Sequence, residues 1–135
     1  MILGIGVDAV SIERAKRLKG RVLERMFSTE ELAEYAQLEG AHEDVRAQFL
    51  ASRFAVKEAY AKARGTGFCQ DVIPNQISTV KNDSGQPYVK LTGTTLEKAP
   101  PSRIFLSITH EMPLAIAMVV LQSLDDMAGG TDVQV

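Results

Sequence analysis

The chain has 135 residues and a net charge of −2 at neutral pH; 45% of it is apolar, 6% is aromatic and there is no Trp. That length suits a single domain with a mostly aliphatic core. The lone Cys69 excludes an internal disulfide framework and a cysteine-built zinc centre. The N-terminus carries no charged-then-apolar leader and no apolar run is long enough to span a bilayer, so a cytoplasmic setting is expected.

Residues 2 to 10 (Ile-Leu-Gly-Ile-Gly-Val-Asp-Ala-Val) read as a buried strand, short, apolar and rich in branched side chains. Its two glycines allow another backbone or a ligand to approach closely. Asp8 is the anomaly, because a carboxylate in such a run needs a partner. Ser11 can cap a helix over residues 12 to 20, with Ile12, Ala15 and Leu18 on its apolar side. Residues 13 to 25 carry six basic side chains (Arg14, Lys16, Arg17, Lys19, Arg21, Arg25) against Glu13 and Glu24. A patch of that sign on a slightly acidic protein suggests an acidic partner.

Ser28-Thr29-Glu30-Glu31 is a capping box that opens a second helix. The longest helical signal runs from about residue 44 to 64, free of Gly and Pro, and stops at Gly65-Thr66-Gly67. At 100° per residue, Ala51, Phe54, Ala55, Glu58 and Lys62 share a narrow stripe, so two charged groups lie among apolar ones. Ile77 to Lys81 and Tyr88 to Leu91 read as a hairpin joined by a turn-rich segment. A short helix begins near Thr94 or Thr95 and ends before Pro100-Pro101. Residues 103 to 109 and 114 to 121 are the strongest strands, with His110 just after the first. The expected fold is α+β with a largely antiparallel sheet, a single domain over residues 1–124 and a disordered tail over 125–135.

Taken singly, the charged features have ordinary explanations. A Glu-Lys pair at i,i+4 is usually a surface salt bridge worth about 0.2–0.5 kcal/mol. Together they suit phosphoryl chemistry. Two hard carboxylates far apart in sequence, Asp8 and Glu58, are what a magnesium site needs when phosphates supply further ligands. Lys57 and Lys62 can hold phosphate oxygens as point charges, and Gly65-Thr66-Gly67 can cradle a phosphate with N–H groups and a hydroxyl. These residues name a metal-assisted phosphoryl chemistry and no substrate.

Three blocks carry a resemblance. Gly4-Ile5-Gly6-Val7-Asp8 with Ile12-Glu13-Arg14, then Arg53-Phe54-Ala55-Val56-Lys57-Glu58-Ala59-Tyr60-Ala61-Lys62-Ala63 before Gly65-Thr66-Gly67, and finally Leu106-Ser107-Ile108-Thr109-His110-Glu111 occur in order. In this the chain resembles the holo-acyl-carrier-protein synthases, of the 4′-phosphopantetheinyl transferase fold. Departures are Ala9, Ser52, Arg64 and the stretch from Cys69 to Asn75.

The resemblance implies a homotrimer with coenzyme A in clefts between subunits. The implied reaction is magnesium-dependent transfer of 4′-phosphopantetheine from coenzyme A to a serine of an acyl carrier protein. By position, Asp8 and Glu58 match the metal ligands, Lys62 a residue near the reacting phosphates, and Gly65, Thr66 and Gly67 the loop beside it. Arg53 and His110 match positions near coenzyme A. The turn with Ser84, Gly85 and Pro87 resembles the adenine-side loop, and Arg14 and Arg21 match the surface that receives the carrier. Glu58, His110 and a metal-bound water all remain candidates for taking the serine proton. A non-catalytic coenzyme A or nucleotide-binding module is the alternative, disfavoured because it has no need of paired carboxylates. Nucleic-acid binding fits poorly with near-neutral charge and few aromatics.

Overall fold

Small residues on one strand and one helix set the architecture. In the computed structural model, which describes residues 1–127, strand β1 (Ile2–Ser11) lies directly on helix α4 (Glu43–Ala63). A Cβ on Gly4 would stand 1.8 Å from the Ala63 carbonyl oxygen, so only glycine permits this approach. β1 pairs antiparallel with β5 (Leu114–Ser123), which pairs antiparallel with β4 (Ser102–Glu111), giving the order β1-β5-β4. The alternation along each strand then sorts side chains onto two faces. Ala117, Val119 and Leu121 of β5 point inward and are buried with the α4 residues Ala55, Val56, Ala59 and Tyr60, while Ala115 is buried with Ala47, Leu50 and Ala51. Asp8 is opposite Ala117 and Gly6 opposite Val119, so Asp8 belongs to this same inward face.

The other face of the sheet is apolar and exposed. Ile5 is opposite Val120 and Val7 opposite Met118, with Ile5, Val7 and Met118 exposed at 64%, 54% and 42%. Those values mark a surface, where an isolated globular domain would place polar side chains.

Helix α4 is buried on most sides, which explains why its sequence lacks a clean polar stripe. The sheet covers one side. A second cluster of Ile12, Ala15, Phe27, Ala47, Leu50 and Ala51 covers its N-terminal half. The hairpin of β2 (Ile77–Lys81) and β3 (Pro87–Leu91) is a separate two-stranded antiparallel sheet beside it. The capping box is present, with α3 (Thr29–Ala36) opening on reciprocal bonds between Ser28 and Glu31. A short helix α5 (Gly93–Glu97) precedes β4.

Two expectations are corrected. The helix expected over 12 to 20 ends at Ala15 (α1, Ile12–Ala15), and a separate helix α2 (Arg21–Met26) begins after Gly20. Ser11 caps the first as expected, accepting from the Arg14 N–H at 3.2 Å. Gly20, at φ 68 and ψ −141, takes a conformation that only glycine adopts readily, so no helix can run through it. Second, β4 extends to Glu111, which puts His110 inside the strand, opposite Ala115, and not after it. Of the segment expected as a tail, the described residues include part of a 3-10 turn at Leu124–Met127. The rest of that segment lies outside the described residues.

Candidate active site

Asp8 and Glu58 line one cavity of about 440 Å³, although 50 residues separate them in sequence. β1 brings Asp8 on its inward face and α4 brings Glu58 from the turn packed against it. Lys62, one helical turn beyond Glu58, donates to Asp8 Oδ1 at 2.8 Å and to the Val7 carbonyl at 3.0 Å. The Asp8 hydrogen bond is the main reason the Lys62 ammonium is held above its usual value. Glu58 responds in the opposite sense. Partial burial and then the Asp8 charge raise its carboxyl above the ordinary 4.5, with Lys62 opposing.

The cavity therefore holds two carboxylates, one partly buried and the other paired with Lys62. Among the described residues no three His, Cys, Asp or Glu side chains gather into a metal cluster. A cation here would rest on two protein carboxylates and draw its other ligands from phosphate and water, which is how Mg²⁺ is usually held. The donor set fits that ion and does not fit zinc. The wall also includes Val10, Leu18, Met26 and Phe54, with Arg14 at the rim. Leu18 and Phe54 carried no sequence signal of a site beyond their helical spacing.

A second cavity, of about 460 Å³, is lined by Arg53, His110, Pro87 and Lys81 together with Glu34 and Phe49. The Arg53 guanidinium stacks 4.2 Å from the centre of the Phe49 ring and lies 3.6 Å from Glu34. Burial lowers its pKa, with Glu34 opposing, and its Nε is buried without a hydrogen-bond partner. Lys81, missed in the sequence because it reads as a strand end, adds a third cationic or titratable group. Arg53 and Phe54 are neighbours on α4 yet serve different cavities, so one chain divides the expected site residues into two groups.

The hairpin turn is built by Asn82, whose Oδ1 accepts from the Ser84 and Gln86 N–H groups at 3.0 and 2.9 Å. Gly85, at φ 84, completes it. Pro87 reaches the second cavity, whereas Ser84 and Gly85 do not line it.

One assignment is corrected. Lys57 was expected to hold phosphate, but it is fully buried. Its Nζ donates to Glu31 Oε1 at 2.6 Å, to the Pro74 carbonyl at 3.0 Å and to the Ile77 carbonyl, which exhausts its three donors. Burial lowers its pKa while Glu31 opposes. In the glycine loop, the Gly65 and Gly67 N–H groups close α4 on the carbonyls of Lys62 and Ala61, and the Thr66 hydroxyl donates to the Gly67 carbonyl at 2.8 Å. Gly65 and Thr66 are exposed.

On the basic segment, Arg14, Arg17, Lys19, Arg21 and Arg25 are exposed. Lys16 is different, bound to Glu13 at 2.8 Å and to Asp44 at 2.7 Å, so it ties α1 to the start of α4.

A sheet lies on a long helix, and two carboxylates line one cavity at their contact, a donor pair suited to a hard cation that also carries phosphate. The chain matches the 4′-phosphopantetheinyl transferase superfamily over residues 4–118 and belongs to that family. It is 36% identical over 125 residues to a holo-[acyl-carrier-protein] synthase of Listeria monocytogenes, covering 90% of this chain and 99% of the relative. Identity to the synthase of Desulfovibrio desulfuricans is 37% over 131 residues, 92% of this chain and 100% of that one. Among solved structures, the synthase of Neisseria meningitidis superposes with a TM-score of 0.79 at 34% identity, over 91% of this chain and 100% of that one. The synthase of Bacillus anthracis, solved in complex with CoA (3′,5′-ADP), superposes with a TM-score of 0.77 at 32% identity, over 91% and 98%.

Proposed function

We propose that this chain transfers 4′-phosphopantetheine from coenzyme A to a serine of apo acyl carrier protein, releasing adenosine 3′,5′-bisphosphate. The observation that carries this reading is the shared cavity of Asp8 and Glu58, within a fold whose relatives are holo-acyl-carrier-protein synthases. Asp8 and Glu58 would hold Mg²⁺, which when bound supplies charge neutralisation on the pyrophosphate. Lys62 is one turn from Glu58 and balances the Asp8 charge through their 2.8 Å bond. The serine oxygen attacks the β-phosphorus, the bond to the bisphosphate breaks, and the serine proton passes to a base. Glu58, in the first cavity, and His110, in the second, are this chain's candidates for that base.

The division of residues between two cavities supports a site completed by a second copy. Asp8, Glu58 and Lys62 of one protomer would face the pyrophosphate while Arg53, Pro87 and His110 of the next take the adenosine phosphate end. The exposed apolar sheet face of Ile5, Val7 and Met118 supplies a surface for such an assembly, a homotrimer by family resemblance. Arg14 and Arg21 offer positive charge near the rim to an acidic carrier. We place the reaction in the cytoplasm, activating carriers for lipid synthesis. Among the described residues no helix is long and apolar enough to cross a membrane.

The test is intact-mass analysis of apo carrier protein incubated with this protein, coenzyme A and Mg²⁺. Gain of one phosphopantetheine on the carrier is expected. Coenzyme A binding without any mass gain on fatty-acid or polyketide carriers would favour the non-catalytic module.

A further inference from the structure

The buried pair of Lys57 and Glu31 has no place in the transfer chemistry, yet Lys57 is the residue next to Glu58. We propose that Lys57 is a positioning residue, pinned by Glu31, which sets the rotation of α4 and so aims the Glu58 carboxylate at Asp8. The proposal rests on the reading of Asp8 and Glu58 as a cation site.

The pair is a junction of four chain segments. Glu31 Oε1 accepts from the Ser28 N–H at 3.1 Å, and its Oε2 accepts from the Thr79 N–H at 3.2 Å. Lys57 reaches the same carboxylate and the carbonyls of Pro74 and Ile77. Both side chains are completely buried. The start of α3, the approach to β2, β2 itself and α4 are thereby joined at one point. Each charge is satisfied by groups of a single polarity, N–H groups around Glu31 and carbonyls around Lys57. Exchanging the two residues would therefore break both ends, so the pair has a direction.

The opposite side of α4 supplies no buried anchor of this kind. There Gly4 and Gly6 meet the Ala63 and Ala59 carbonyls, a contact of backbone with backbone that sets distance, and the side-chain tie to β1 is the half-exposed Lys62, bonded to Asp8 and the Val7 carbonyl. Smooth contacts of this kind tolerate rolling, whereas a buried three-bond anchor does not. Side chains stand roughly 5–6 Å from a helix axis, so a roll of about 20° displaces a tip by about 2 Å. That is as long as a magnesium–oxygen bond, roughly 2.0–2.1 Å, in an ion that tolerates little distortion. Replacing a buried pair as a unit is often close to neutral in stability, which leaves aim, and not folding, as the property the pair controls.

Manganese binding in the absence of coenzyme A and carrier, read from the loss of the free Mn²⁺ electron paramagnetic resonance signal, tests this. Lys57→Met/Glu31→Gln removes both charges together, and Glu31→Gln alone, which keeps acceptors for the N–H groups, serves if the double variant does not fold. Val72→Ala, in the core beneath the same helix, is the control for general softening. Expected is about tenfold weaker Mn²⁺ binding in the pair variant, the scale of lost outer-sphere support, and wild-type binding in the control. Wild-type affinity in the pair variant, or an equal loss in Val72→Ala, overturns the proposal. Asp8→Asn and Glu58→Gln run alongside. If neither weakens binding, the cation-site reading fails first and takes this inference with it.

Discussion

A Cβ atom on Gly6 would stand 2.0 Å from the carbonyl oxygen of Ala59, so β1 and α4 are joined at a separation that any other residue forbids. Asp8 is two residues further along β1 and Glu58 is the residue before Ala59. The same contact that closes the core brings the two carboxylates to one cavity. Gly6→Ala is expected to push strand from helix, because the obstructing atom is backbone and has no rotamer to escape into. The cost should be about 3 kcal/mol or more in chemical denaturation, with loss of Mn²⁺ binding in whatever protein remains folded. Undiminished stability would show that the sheet and helix are free to separate.

Glu58 gives a pH dependence with a definite sign. Its folded pKa is raised above 4.5, so between those two values the native state holds more protons than the unfolded chain. Stability from this group is present below the unfolded value and is lost as pH rises through the folded one. Glu58→Gln should therefore raise the melting temperature of the metal-free protein at neutral pH, and the gain should vanish below pH 4.5. Thermal melts in chelator across that range check it. In wild type, apparent Mg²⁺ affinity should fall as acid protonates Glu58. A Glu58→Gln variant that melts lower at neutral pH would contradict that upward shift.

Arg14 and Lys16 are two residues apart and should behave differently. Arg14 is exposed at the cavity rim, whereas Lys16 is held by Glu13 and Asp44. Arg14→Glu, or Arg21→Glu, is expected to raise the KM for carrier about tenfold and to flatten its salt dependence, since like charges across an interface are strongly unfavourable. Lys16→Ala should leave that KM alone and slightly lower stability. Steady-state kinetics at several ionic strengths separate the cases. Equal effects at Arg14 and Lys16 would point to α1 docking as the shared cause.

The outward sheet face predicts an assembly. Val7 and Met118 are cross-strand partners, both more than 40% exposed. Val7→Asp or Met118→Asp should release monomers in sedimentation velocity, with transfer activity falling alongside because the two cavities then belong to separated chains. A wild-type protein that sediments as a monomer with full activity would refute the shared site.

Local signals were legible in the sequence and distant partners were not. The capping box at Ser28 and Glu31, the hairpin around Asn82 and Gly85, and the end of α4 at Gly65 all depend on residues within a few positions of one another. Asp8 stood out because a carboxylate in an apolar strand needs a distant partner, and Glu58 because it interrupted an apolar stripe. Lys57 looked equally available, and its true surroundings depend on Glu31, Pro74 and Ile77, which lie 17 to 26 residues away. No helical period could show that its three donors were already taken. The early end of α1 at Ala15 was hidden for a related reason, since Leu18 and the basic residues keep a helical spacing beyond it. Arg53 and His110 were named by resemblance, and only the fold shows that they share a cavity from which Asp8 and Glu58 are absent.

The central claim is that Asp8 and Glu58 grip one divalent ion that the transfer requires. The measurement that addresses it is the initial rate of phosphopantetheine transfer as a function of Mg²⁺ concentration, for wild type, Asp8→Asn and Glu58→Gln. Both variants are predicted to lose about 100-fold or more at low Mg²⁺ and to recover in part as the ion is raised. A wild-type rate with unaltered Mg²⁺ dependence in either variant would contradict the account.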